Sequence, residues 1–215
     1  MNNKKYITSD HVVSALANLP QLVFEVTDSC NLRCKYCAYG EFYEDYDNRE
    51  EKMLSTEKAI RLINHLSSFW NSNLNYSANN NLTISFYGGE PLVNFPFIKT
   101  IVDYINNKLY CPHRHFSFSM TTNAILLHKH MDFLQENKFH LLISLDGNKD
   151  NTASRVDKVG KNSFDRICTN VDKLRETYPD YFHNYVNFNA VLHNKNSVES
   201  IYKFFKEKYN KIPRI

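Results

Sequence analysis

The residues with the sharpest chemistry are three cysteines in one short stretch, Cys30-Asn-Leu-Arg-Cys34-Lys-Tyr-Cys37. Thiolates are strong ligands for soft metals, and this spacing brings three of them round one small volume within a single loop. Structural zinc takes four protein ligands, yet no histidine lies in the loop; His11 and His65 are the nearest, and Cys111 and Cys168 are remote. Three thiolates suit a 4Fe–4S cluster in which one iron lacks a protein ligand, and an open iron is a place for substrate or cofactor. A three-ligand zinc site and a purely structural cluster are the competing readings. The cysteines number five in all, an odd count with three bunched together. That pattern argues against a disulfide framework and for metal or redox chemistry in a cytoplasmic chain.

The loop must be held by something regular, and the sequence alternates strand and helix around it. Apolar or β-branched runs occur at Leu22–Thr27, Leu82–Tyr87, Phe116–Thr121, Leu141–Leu145 and Val186–Leu192. Between them fall helical periodicities: Ala59, Ile63, Leu66 and Trp70; Ile98, Ile101, Val102, Ile105 and Leu109; Leu127, Met131 and Leu134; Phe164, Ile167, Val171, Leu174 and Tyr178. A last one, Val198, Ile201, Tyr202 and Phe205, is expected to start from Asn196 as N-cap with Glu199 three positions on. Successive βα units predict an α/β fold with a parallel sheet, a partial TIM-like (β/α) barrel of about five units. Residues 1–20 read as an N-terminal extension and 21–215 as one incomplete barrel core. After the fifth helix KIPRI ends the sequence with no following strand, so strand five is expected to be an unprotected edge.

Three strands alternate where fully buried parallel strands usually run unbroken. Period two sends Thr83 and Ser85, Ser117 and Ser119, Asn187 and Asn189 to one face and large apolar residues to the other. That polar face describes a hydrated cavity for a polar ligand, with an open sheet solvated on one side as the alternative. Glycine is scarce, at 40, 88, 89, 147 and 160 only, all in expected loops.

Composition closes off other classes. The chain has 215 residues, 42% hydrophobic and 23% charged, enough for one core. Mean hydropathy is −0.51 and no apolar run approaches the roughly 18 residues of a membrane span. Asp10 and His11 interrupt the only early apolar stretch, so no signal peptide is read there. Net charge is +3, and the last fifteen residues alone carry five basic groups against Glu207, so the remainder gives no basic surface for nucleic acid.

The cysteine loop and the segments at successive strand ends resemble the radical SAM enzymes, whose signature is a CxxxCxxC loop after the first barrel strand. The resemblance covers roughly Leu22 to Asn194. It implies that Cys30, Cys34 and Cys37 hold a 4Fe–4S cluster, and that Gly88, Gly89, Glu90 and Pro91 form the segment that binds the amino group of S-adenosylmethionine. On that reading the paired glycines admit backbone to the ligand and Glu90 accepts from an ammonium. Thr121-Thr122-Asn123 and Ser144-Leu145-Asp146-Gly147 are similar to the TN and SLDG segments of the branch containing peptide maturases and anaerobic sulfatase-maturating enzymes. By the same resemblance Ser144 corresponds to a ribose contact and Arg155 to a partner of the methionine carboxylate. Tyr36, Thr122, Asn123 and Asp146 join the cofactor-binding set, and Leu192-His193-Asn194 sits where adenine is contacted or a helix capped. Each segment alone has a plainer reading: Gly-Gly-Glu-Pro and Asp146-Gly147 as turns, Thr122-Asn123 as a helix cap, Arg155 as a surface charge, Tyr36 as packing. Cys168 reads as a core thiol and Cys111 as a loop residue. Placement at the C-terminal ends of successive strands, where α/β barrels gather functional groups, is what lifts the functional reading.

The implied chemistry is reductive cleavage of S-adenosylmethionine to a 5′-deoxyadenosyl radical, directed at a ribosomal precursor peptide with a low-potential electron donor. A sulfatase-maturase-like oxidation of a Cys or Ser side chain is the alternative enzyme. The family core has six βα units, five are legible here, and no Cys-rich extension follows Ile215. The sequence is therefore expected to be the N-terminal portion of a longer enzyme, or a remnant that needs a complementing C-terminal chain.

Overall fold

A computed structural model describes residues 6–38, 50–72, 74, 76 and 80–215. Five strands, β1 (Gln21–Glu25), β2 (Asn81–Tyr87), β3 (His115–Thr122), β4 (His140–Ser144) and β5 (Val186–Asn189), lie side by side in chain order. All four pairings are parallel. Parallel neighbours need crossovers, supplied by α2 (Thr56–Trp70) after β1, α3 (Phe95–Asn107) after β2, α4 (Met131–Glu136) after β3, and α5 (Phe164–Thr177) with α6 (Pro179–Tyr185) after β4. Helix α1 (Ser9–Ala17) precedes the sheet and α7 (Val198–Tyr209) follows it. This is the α/β, partial TIM-like arrangement expected. None of the described helices is long and apolar enough to cross a membrane.

The two faces of the sheet separate as the alternation demands. Leu82, Ile84, Phe86, Phe118, Met120, Ile143 and Phe188 are buried together with Ile63, Trp70, Ile98, Ile101 and Val171 of the helices. Each such side chain contributes about 1.5–3 kcal/mol by leaving water. On the other face Thr83 Oγ1 and Ser117 Oγ lie 3.0 Å apart, and Ser85 Oγ and Ser119 Oγ 2.6 Å apart. Gln21 Nε2 donates to Ser85 Oγ at 2.6 Å, which completes a polar ladder across three strands. Tyr87, at the C-terminal end of β2, and Asn187, near the start of β5, remain exposed.

Several sequence expectations need correction. The strand-five edge is not left bare: Arg214 N donates to Phe188 O at 2.9 Å, Ala190 N donates to Arg214 O at 2.8 Å, and Arg214 forms a parallel bridge with Asn189. KIPRI thus occupies the position of a sixth strand. Strand five itself stops at Asn189, because the amides of Ala190 and Val191 turn to Arg214 and Asp146. The cap of α7 is Ser197, whose side chain accepts from Ser200 N in a capping box, not Asn196. Asn196 instead bridges Val191 O and His193 N, closing the loop after β5. The Leu127–Leu134 periodicity is split into a 3-10 turn, Leu127–Lys129, and α4, because His130 leaves helical geometry to stack on Phe95. Helix α6 has no counterpart among the periodicities above; it is short, starts at Pro179, and is anchored by buried Tyr181 donating to Phe139 O. Gly40 lies outside the described residues.

Candidate functional site

The cysteine loop leaves the C-terminal end of β1. Its only large apolar side chain, Leu32, is 1% exposed and plugs the loop into the core. The far side is pinned by main chain: Arg33 N donates to Val156 O at 2.7 Å and Lys35 N to Ser154 O at 2.9 Å, with an antiparallel bridge between Leu32 and Asp157. A strap after β4, residues 154–157, therefore binds the loop as a short strand would. Cys37 N donates to Cys34 O, closing a turn between the last two cysteines. All five cysteines are thiols; Cys30, Cys34 and Cys37 are half-buried, whereas Cys111 and Cys168 are buried elsewhere. A cleft of about 360 Å³ opens against Cys30, between Ser29, Asn31, Val93 and residues 157–159, where the strap ends.

The near side is held by β2 and β3. Gly89 N donates to Thr27 O at 2.8 Å and Glu90 N to Ser29 O at 2.9 Å. A Cβ on Gly88 would lie 2.2 Å from Thr27 O, and one on Gly89 2.2 Å from Ser29 O. The glycine pair is thus required by the cysteine loop's own backbone, a reason the sequence reading assigned to a ligand. Glu90 is 1% exposed and caps the 3-10 turn Pro91–Asn94 from within. Its Oε1 accepts from Leu92 N at 3.2 Å and Thr122 Oγ1 at 2.7 Å, and its Oε2 from Asn123 N at 2.7 Å. Burial pushes this carboxyl above its ordinary value, and the three donors pull it part of the way back. The side chain read as an ammonium acceptor is therefore turned inward, tying β2 to β3. Asn123 Nδ2 reaches Asn31 Oδ1 at 2.8 Å and Cys30 Sγ at 3.7 Å, which orients the first thiol.

On the β4–β5 side the contacts are charged. Asp146 is fully buried; its Oδ2 accepts from Tyr36 Oη at 2.5 Å and Arg155 Nε at 3.1 Å, and its Oδ1 from Val191 N at 3.1 Å. Arg155 Nη1 lies 3.9 Å from Cys34 Sγ, and the guanidinium carbon stands 5.5 Å from the Tyr36 ring centroid. Tyr36 in turn stacks on His193, whose Nε2 pairs with Asn151 O. Burial opposes the Arg155 charge, yet Asp146, with Tyr36 and Cys34, lifts its pKa above the ordinary value. Burial pushes the Cys34 thiol up to about 11; Arg155 opposes this, and Cys30 and Cys37 add to it. Ser144 ends β4 on the polar face, in register with Asn189. Tyr36, Glu90, Thr122, Asn123, Asp146 and Arg155 are thus joined to the cysteine loop or to one another, whereas Ser144 shows only its pairing with β5. Leu32, Asn31 and Asn151 were missed as supports, since nothing in their types distinguishes them from ordinary loop residues.

This donor set can be tested against the group it would hold. Among the described residues no three His, Cys, Asp or Glu side chains converge as ligands of a single ion must. A four-iron cube is different, because it takes each sulfur at its own corner. Three thiols in one loop that do not converge on a single ion fit such a cluster better than zinc, and Asn31 Nδ2 lies buried and unpartnered beside them.

The Radical SAM superfamily profile matches residues 24–207. The chain belongs to this superfamily. Its cofactors are a 4Fe–4S cluster and S-adenosylmethionine. A cysteine-type anaerobic sulfatase-maturating enzyme from Clostridium novyi (strain NT) is 32% identical over 196 residues, which is 89% of this chain and 49% of that protein. The structure of native anSMEcpe with bound AdoMet superposes with a TM-score of 0.70 at 25% identity, covering 88% of this chain and 49% of that one. The same protein with AdoMet and the Kp18Cys peptide gives 0.68, covering 87% of this chain and 48% of that one. The radical SAM chain described here spans about half the length of these relatives. The relatives are enzymes.

Proposed function

We propose that this chain holds the cluster and S-adenosylmethionine of a radical SAM enzyme that modifies a side chain of a ribosomally made peptide. When bound, the pair supplies a 5′-deoxyadenosyl radical able to take hydrogen from an unactivated C–H bond, given an electron from a low-potential donor. The observation that carries the reading is the three-thiol loop, with no fourth protein ligand among the described residues, ringed by the ends of β2, β3, β4 and β5.

Cys30, Cys34 and Cys37 would carry the cluster. Arg155 uses two of its five N–H groups on Asp146 and Cys34, which leaves donors for a carboxylate. Since the Glu90 carboxylate accepts three internal hydrogen bonds, main-chain carbonyls of the Gly88-Gly89 segment would serve as acceptors for an ammonium. Ser144 and Asn189, paired at the top of the polar face, would meet a ribose. Free thiols at all five cysteines suit a reducing cytoplasm. The likeness to a solved enzyme that binds a peptide supports a peptide substrate, and the 32% identity to a sulfatase-maturating enzyme favours oxidation of a Cys or Ser side chain as the second reading. Residues 21–215 would form the core, working with a complementing C-terminal portion.

Anaerobic reconstitution with iron and sulfide tests this. Dithionite and S-adenosylmethionine should yield 5′-deoxyadenosine from wild type and none from Cys34→Ala. Uptake of zinc in fourfold coordination, with no iron absorbance, would overturn it.

A further inference from the structure

Asp146 was grouped with the cofactor contacts, yet its side chain is fully buried and both its oxygens are taken. Its three donors come from three different segments: Tyr36 from the cysteine loop, Arg155 from the strap after β4, and Val191 from the end of β5. One of those donors, Arg155, is 6% exposed and directs its next nitrogen at Cys34 Sγ. The Tyr36 ring, held by its own hydroxyl on the same carboxylate oxygen, stands against the guanidinium from another side. Asp146 therefore decides both where the guanidinium sits and how much net charge the pair shows to the sulfur.

We infer that Asp146 is a positioning residue: it holds Arg155 against Cys34 and offsets the guanidinium charge, so that the cluster feels a nearly neutral pair. This rests on the assignment of Cys30, Cys34 and Cys37 as cluster ligands. The pair is shielded from solvent, so salt does not screen its effect on a neighbouring sulfur. A positive charge near an iron–sulfur cluster favours its reduced, more negative state, and a neutral pair does not. Removing the carboxylate charge while keeping the shape leaves a naked guanidinium beside Cys34. Removing the guanidinium leaves a buried anion one group further away.

The test is the reduction potential of the reconstituted cluster without S-adenosylmethionine, read by an EPR-monitored titration at fixed pH. Asp146→Asn should shift the potential to more positive values and Arg155→Gln to more negative ones. The double variant should return close to wild type, which a merely structural role would not produce. A wild-type potential in Asp146→Asn with full iron and sulfide content overturns the proposal, as does a double variant no different from Asp146→Asn. Should Asp146→Asn fail to hold iron, Arg155→Gln decides alone, and an unshifted potential there overturns it. Loss of iron from both variants marks the pair as scaffold only and overturns it too. Absence of any cluster in wild type would sink the ligand assignment itself, and this proposal with it.

Discussion

On its β2–β3 side the cysteine loop is gripped by main chain packed so closely that a single methyl group on Gly88 or Gly89 would overlap a carbonyl oxygen. On its β4–β5 side the same loop is gripped by Asp146 and Arg155 through the loop's own Tyr36, so that a carboxylate, a guanidinium and a phenol meet. The first grip is steric and short-ranged, so it sets where the loop lies and tolerates nothing. The second is electrostatic and acts at a distance, so it bears on the sulfur's electronics as well as its place. Breaking a buried ion pair by removing one partner costs about 3–5 kcal/mol, so the charged grip is also structural. Its distinguishing property is that a charge change reaches Cys34 even where the shape is kept.

The comparison can be broken most severely on the steric side. Gly89→Ala places a Cβ against Ser29 O and Asp28 O, both main chain, with nothing flexible to yield. We expect a loss of at least about 4 kcal/mol in denaturant unfolding and failure to retain iron. Glu90→Gln comes next. Its amide would turn an N–H toward Asn123 N or Thr122 Oγ1, at a cost of about 1–3 kcal/mol. The pH dependence has a definite sign. Burial raises the Glu90 pKa in the folded state, so its contribution is fully present below the ordinary carboxyl value of 4.5 and is lost as pH rises through the folded value. The wild-type advantage over Glu90→Gln should therefore be largest in acid and shrink as pH rises, in unfolding curves taken across that range.

The charged side is sharpened by chemistry on the metal-free protein. With its pKa pushed up to about 11, chiefly by burial, Cys34 should alkylate slowly at neutral pH. Its rate should keep climbing to about pH 11, and Arg155→Gln should slow it further, because the guanidinium opposes that rise. Mass-spectrometric mapping of iodoacetamide labelling checks both. The smallest effect belongs to Gly160, on the hairpin that follows the strap. No atom lies within 4 Å of an added Cβ, and only its φ of +83° opposes a side chain. Gly160→Ala should cost about 1–2 kcal/mol and leave iron content unchanged. Equal damage from Gly89→Ala and Gly160→Ala would erase the distinction drawn between packed and open glycines.

Much of this arrangement was legible in advance because its determinants are local. The strand alternation at Leu82–Phe86 and Phe116–Met120 reports which face each side chain takes, and the observed ladder of Ser85 with Ser119 follows from it. The CxxxCxxC spacing is a local statement too, and it bound the three thiols to one loop. Elements with weaker local signals slipped through: α6 has only seven residues, and Arg214 joins β5 with almost no strand propensity around it.

What the linear sequence determined, then, was the set of participants: three thiols, a parallel α/β scaffold, and functional groups at the C-terminal ends of strands. Only the tertiary structure decided their duties. Glu90 and Asp146 carry the same charge and each follows a strand end, so the sequence gives no ground to tell their roles apart. In the fold, Glu90 meets three neutral donors and becomes a brace, whereas Asp146 meets a guanidinium that also reaches Cys34. The reason is physical. A carboxylate's role is set by the donors that surround it once water is excluded: Leu92 and Arg155 lie only 2 and 9 residues away, but Thr122 and Asn123 lie 32 and 33 away, and Val191 and Tyr36 lie 45 and 110 away.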